Sequence, residues 1–408
     1  MTASVMPAGE AAGQSRLDHE DYFGFSAALS LGMVAAFAPM LAYYSGVIFL
    51  LLCSTRLNRR TVRWIGLICA FGISVSLASR KTFGEADDFT NYYKVYLDIL
   101  ATGSKALGVF GNEVGLPLLY RILATSGIRS PVLPLFAVAM LSSVLLVIWL
   151  DRHGSRHFPP ERYGSVVAVT LLFSGILLST QVTRQFLSSC FLLFAISNPR
   201  GRGVMWLLVA TLFHQTALPL FVLIKVAVRY RWRFLIGTAI GTLVILVYFQ
   251  AIVRLGLSVN LNTFAIGAKL LYYAGYYADT GTQSASAALT ELRVVTMICV
   301  AAALCSKYMP RGWGPLILGV GVLYIIFLPF PMMSFRLFLL FGVVITGYLI
   351  SFMSYRVGWA PLTSAAVALA LWRLSGSFSE RDQSVFAMWD KFEFAGYFPF
   401  YYVLAIFR

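Results

Sequence analysis

The chain has 408 residues, of which 59% are hydrophobic and only 12% charged, with a mean hydropathy of +0.77 and a formal charge of +15. A charged fraction near a quarter is usual for soluble domains, so an ordinary soluble globule is excluded. Apolar runs close to the ~20 residues needed to cross a bilayer recur along the chain and are far too long for barrel strands. The expected fold class is an all-α polytopic membrane protein.

The first 25 residues carry Asp18, Glu20 and Asp21 and lack the basic start and cleavage site of a signal peptide, so the first span is expected to be retained. Full spans are expected near 31–53, 61–79, 131–150, 164–180, 183–197, 233–253, 291–306, 314–330, 335–353 and 357–373, about ten in all. The loops between them divide sharply by charge. Arg56, Arg59, Arg60 and Arg63 fill the first short loop, and Arg152, Arg156 and Arg162 a later one. Arg200 and Arg202, then Lys225, Arg229, Arg231 and Arg233, then Lys307, Arg311 and Arg356 occupy further turns. These sixteen of the 32 basic residues meet only Asp151 and Glu161, which leaves a net of +14 in these loops alone. Such a bias marks cytoplasmic loops rather than a nucleic-acid surface, and no nucleic-acid partner is expected.

The segments 80–130, 254–290 and 374–408 then lie outside, the last as an outer tail. The stretch 203–228 runs between two cytoplasmic signals, so a single span would place "RYRWR" outside. A re-entrant hairpin turning near His214–Gln215, with Pro219 helping to break its second arm, fits better than one long tilted span. No internal repeat or linker appears, and 1–408 reads as one membrane domain. The five cysteines show no metal-ligand or disulfide spacing, and no metal or cofactor is expected.

Polar residues collect at the predicted outer face. "TQVTRQFLSSCFLLFAIS" (180–197) carries Thr180, Arg184 and Ser188 at helical spacing, with Gln181, Gln185 and Ser189 in the adjacent row. A lipid-facing helix has no use for such a face, so it must meet something polar. Arg336 follows two prolines at the start of another span, and His214 caps the hairpin. "GEADDFTNYYKVY" supplies Glu85, Asp87 and Asp88, with Asp88, Tyr92 and Tyr96 on one helical face, and "GNEVGLPLLY" supplies Glu113. Each has a plainer reading: snorkelling for the arginines, a structural role for the histidine, a helix cap for the acids, an interfacial belt for the tyrosines. Together they form a chemical kit. Guanidinium forks bind phosphate oxygens, and an imidazole or carboxylate can take a proton from a sugar hydroxyl. No Walker loop, dinucleotide fingerprint or HExxH occurs, which points to a lipid-linked pyrophosphate rather than a nucleotide.

"DDFTNYYKVY", "GNEVGLPLLYRIL", "TRQFLSSCFLLFAI", "LLVATLFHQTALPL" and "SFRLFLLFGVVI" resemble, in order, successive blocks of the EpsG family of Wzy-like exopolysaccharide or O-antigen polymerases. The tail "FAGYFPFYYV" is loosely similar to the family's end. The resemblance implies a GT-C-like membrane glycosyltransferase at the outer face of a bacterial inner membrane. It would join polyprenyl-diphosphate-linked repeat units, with a chain-length regulator or export machinery as further partners. Carried over, it assigns His214 and Asp88 as candidate bases, and Arg184, Gln185 and Arg336 to pyrophosphate. Glu113, Tyr92 and Tyr96 would orient sugar. "EAD" at 85–87 imitates a GT-C metal motif that family polymerases need not use. A lipid-linked oligosaccharide flippase or exporter, and an outer-face glycan ligase or acyltransferase, are the rival readings.

Overall fold

The structure, a computed structural model, describes residues 8–80, 88–103, 108–198, 200–237, 240–241, 244, 292–326, 338–377 and 391–407. Arg336, Glu85, Asp87, the expected outer loop 254–290 and most of the expected span 233–253 lie outside them. Among the described residues the chain is helical and has no strand. It divides into two compact units, residues 1–215 with 359–408, and residues 216–358.

The first unit contains α1 (Ala8–Phe37), α2 (Pro39–Cys53), α3 (Arg59–Ala78), α4 (Asp88–Thr102), α5 (Gly115–Ala124), α6 (Val132–Arg152), α7 (Tyr163–Phe173), α8 (Thr183–Ser197) and α9 (Arg200–Phe213). The helices Trp359–Ser377 and Tyr401–Phe407 complete it. Of these, α3 and α6 are long and apolar enough to cross a membrane. The Asn58 side chain starts α3 by accepting from the Thr61 amide at 2.7 Å. Asn198, extended before Pro199, stops α8. Leu50, Ile65, Trp149 and Phe186 are fully buried between the helices. The opposite side of α9 shows Val204, Leu208 and Leu212, one turn apart and 41–63% exposed. A continuous row of large apolar side chains facing outward is what lipid contact requires.

Two sets of contacts show which helix ends lie together. At one end Asp151, near the close of α6, accepts Arg59 Nε at 2.8 Å and Arg63 Nη2 at 2.9 Å from the start of α3. There too Trp149 Nε1 donates to Ser197 Oγ at the end of α8 (3.0 Å). Ser54 donates to the Glu161 carbonyl (2.9 Å), which ties two of the basic loops together. At the other end Lys391 Nζ donates to the Ala78 carbonyl (3.4 Å) and Ser130 to the Ala405 carbonyl (3.0 Å). The first turn of α8 and the last turn of α9 therefore lie away from the basic loops.

The second unit contains α10 (Ala217–Tyr230) and the helices Leu292–Cys305, Trp313–Ile326, Thr346–Ser351 and Ser354–Val357. Tyr308 stacks on Tyr355 with centroids 4.5 Å apart, and Arg356 Nε donates to the Leu304 carbonyl at 3.0 Å. Leu340–Val344 forms a π-helical turn, closed by the Ile345 amide on the Leu340 carbonyl at 3.1 Å.

Three expectations change in detail. The run 31–53 is not one helix: Pro39 has no N–H to continue the ladder, Ala38 leaves the helical region (φ −141°, ψ 73°), and α1 gives way to α2. The run 164–180 ends as an α-helix at Phe173, where Ser174 turns extended before Gly175 and a 3₁₀ segment, Ile176–Thr180, follows. Pro219 does not break an arm. It sits in the first turn of α10, where a missing N–H costs nothing.

Candidate functional site

The polar face of α8 meets Glu113 and the end of α9. Thr180 and Gln181 do not share its helix, because Val182 (φ −101°, ψ 47°) precedes the first turn and α8 begins at Thr183. Arg184, Gln185, Ser188 and Ser189 do share it, and the last three are buried. Ser188 Oγ donates to the Ala210 carbonyl at 2.9 Å, and the His214 carbonyl lies at 3.4 Å. This serine holds the last turn of α9 against α8, and so sets the height of His214, whose amide donates to the Ala210 carbonyl (3.0 Å).

Glu113 arrives from the turn before α5. Gly111, at φ +65°, adopts the left-handed backbone that closes this turn, its amide on the Gly108 carbonyl at 2.9 Å. Gly115 then allows close approach: a β-carbon there would lie 2.8 Å from the Phe213 ring and 2.9 Å from its backbone nitrogen. Together these glycines deliver a carboxylate to the end of α9.

The geometry that results is a three-residue cluster. Glu113 Oε1 lies 2.7 Å from His214 Nδ1 and accepts the Gln215 amide at 3.1 Å. Glu113 Oε2 accepts from Arg184 Nη1. Glu113 and His214 are 6% and 8% exposed, so these are sheltered interactions rather than surface pairs. Burial alone would raise the Glu113 carboxyl. The His214 hydrogen bond and charge, the Gln215 amide and Arg184 outweigh it and hold Glu113 below the usual carboxylate range. An ionised carboxylate only accepts, so Nδ1 of His214 is the nitrogen that donates to Glu113, and Nε2 is the one turned away from it.

Arg184 is framed by rings. Its guanidinium carbon lies 4.1 Å from the Phe110 centroid and 5.9 Å from that of Tyr92. Its Nε is buried with no hydrogen-bond partner among the described residues. Contacts of this kind are worth ~0.5–2 kcal/mol and fix the plane of the fork.

Of the residues singled out from sequence, Glu113, Arg184, His214 and Tyr92 come together. Gln185 is buried beside Arg184 on α8. Asp88 opens α4, one turn before Tyr92. Tyr96 is fully buried, edge-on to Tyr120, and its hydroxyl donates to the Ile128 carbonyl at 2.5 Å. Sequence reasoning missed Phe110, Gly115 and the Gln215 amide. Phe110 and Gly115 flank "GNEV" in the sequence, and a glycine two residues after a candidate acid was the one available signal.

A sequence model of the EpsG family matches residues 63–360. The chain belongs to the EpsG family. The matched range takes in all five blocks of the resemblance and every residue of the cluster, and leaves the tail 394–403 outside. EpsG membership, with the apolar helices, makes this a membrane protein connected with exopolysaccharide polymerisation. No curated protein and no solved structure matches the chain.

Proposed function

We propose that this EpsG-family protein is a polysaccharide polymerase that joins polyprenyl-diphosphate-linked repeat units at the outer face of a bacterial inner membrane. The observation that carries the reading is the Glu113–His214–Arg184 cluster at the helix ends remote from the basic loops. The positive-inside rule assigns those loops to the cytoplasm, and the cluster to the opposite face. About ten spans in a GT-C-like arrangement, with the re-entrant hairpin expected from the sequence at 203–228, complete the picture.

In this mechanism His214 Nε2 takes the proton from the acceptor sugar's hydroxyl as its oxygen attacks the donor's anomeric carbon. The bond from that carbon to the diphosphate breaks, and polyprenyl diphosphate leaves. Glu113 holds the imidazole in the useful tautomer and stabilises the imidazolium that forms, the work of the carboxylate in a hydrolase triad. This is a different task from orienting sugar. Arg184 offers its remaining donors to the departing diphosphate, and developing charge on the leaving group is stabilised without any nucleotide; the family resemblance also assigns Arg336 to the diphosphate. Tyr92 frames Arg184, and Asp88 is the alternative base.

An exporter would need charged groups through the depth of a central passage. In the first unit the described ion pairs gather at the two ends instead. A ligase shares the outward site and differs only in acceptor. Purified protein given one lipid-linked repeat unit should make ladders of whole repeats with no nucleotide added. Transfer only to a different acceptor, with no ladder, would turn the reading to a ligase.

A further inference from the structure

Residues 394–407, "FAGYFPFYYVLAIF", belong to the first unit, lie beyond the matched range 63–360 and carry no charged side chain. One side of this segment is packed. Ala395, Tyr401 and Tyr402 are buried, with Tyr402 edge-on to Phe71 of α3 (centroids 5.5 Å apart) and Tyr401 against Phe392 at 5.6 Å. The bonds from Lys391 to the Ala78 carbonyl and from Ser130 to the Ala405 carbonyl seat the segment at the end of α3 and the start of α6. Both helices are long and apolar enough to cross a membrane, so the segment lies at the level of the membrane surface.

The other side is apolar and open. Phe394, Tyr397, Phe398, Phe400, Leu404 and Phe407 are 43–88% exposed. Phe400 stands at φ +57°, a left-handed conformation that a bulky residue rarely adopts, and its amide donates to the Ala36 carbonyl near the end of α1 at 2.9 Å. The strained turn leaves the Phe400 ring outside, so burial of that ring does not account for it.

Water disfavours this open side, because six large apolar side chains in one short stretch make a patch that soluble surfaces rarely show. Spanning is excluded by length. The 14 residues would reach only ~21 Å as a helix, against a hydrocarbon core of ~30 Å. The hydrocarbon interior is excluded by the backbone: residues 394–400 form turns, and lipid-exposed irregular backbone does not occur at that depth. The headgroup layer accepts both features, since it solvates the polar groups of a turn and takes up aromatic rings.

We propose that residues 394–407 lie in the plane of the membrane as an interfacial anchor. The partner of the open side is the lipid surface remote from the basic loops, headgroups with the adjoining acyl carbons. Such an anchor holds the ends of α1, α3 and α6 at a fixed depth, on the same side as the Glu113–His214–Arg184 cluster.

Photo-crosslinking of the full-length protein in nanodiscs of phosphatidylethanolamine and phosphatidylglycerol tests it. Benzoylphenylalanine takes the place of Phe398 in one variant and of Leu404 in a second, both exposed positions. A third carries it in place of Leu208, on the outward apolar row of α9. Illumination should add the mass of one phospholipid to the chain at 398 and 404, as at 208. A crosslink between two chains at 398 and 404 would make the open side a subunit interface and overturn the anchor. So would an unmodified chain at both positions while 208 takes lipid. With the probe in place of Tyr397, the pair Phe398→Asp and Leu404→Asp puts two charges on the lipid side and should cut the lipid adduct. An undiminished adduct at unchanged melting temperature would also contradict the anchor.

Discussion

Glu113 and His214, 101 residues apart in sequence, meet with Oε1 and Nδ1 separated by 2.7 Å, and the other carboxylate oxygen takes Arg184. One carboxylate thus sets both a candidate base and a candidate diphosphate ligand. Its removal should disturb both at once.

Glu113→Gln keeps the shape of the side chain and loses the charge. The amide can donate to Nδ1, which moves the histidine proton to Nε2, the wrong tautomer for a base. Chain growth should fall ~10²–10⁴-fold, by analogy with the same change in a hydrolase triad. Ladder formation at matched protein level measures this, and a loss under threefold would leave Glu113 a packing role.

Arg184→Lys keeps the positive charge and loses the fork. Polymer should fall at least ~10-fold while the amount of inserted protein holds. If lysine restores full polymer, two-point diphosphate binding is wrong and snorkelling to the interface explains the residue.

The Glu113 carboxyl is held below its ordinary range, so its contribution to stability is fully present above the unfolded value of ~4.3. That contribution is lost as pH falls through the lower folded value. The difference in melting temperature between wild type and Glu113→Gln should therefore be greatest near neutrality and shrink on acidification. A difference constant from pH 7 down to pH 3 would contradict the assignment.

Gly115→Ala adds a methyl group against the Phe213 ring and backbone. Overpacking of this kind costs ~1–3 kcal/mol, and here it also pushes Glu113 away from the end of α9. Both melting temperature and chain growth should fall, and a neutral outcome would mean that α5 does not press on α9.

Much of this was legible in the sequence, and the reasons differ by residue. The membrane class follows from composition, because a 12% charged chain cannot dress a soluble surface. Arg184 and Ser188 stood out because polar groups at helical spacing in an apolar run demand a partner. The identity of that partner was not legible. Glu113 is reached only through two backbone devices, the left-handed turn at Gly111 and the glycine contact at Gly115, which no periodicity reports. The breaks at Ala38 and Ser174 were hidden for a related reason. Hydropathy averages across a proline or a glycine, whereas the hydrogen-bond ladder does not.

The central claim is that Glu113 and His214 act as one proton-accepting unit, and chain growth in a double-variant cycle tests it most directly. Initial rates would be taken from purified wild type, Glu113→Ala, His214→Ala and the double variant, each given the same lipid-linked repeat unit. Residues that act as a unit are grossly non-additive, so the account predicts that the double variant is no slower than His214→Ala alone. A His214→Ala protein that still makes ladders near the wild-type rate, or single losses that simply multiply in the double variant, would contradict it.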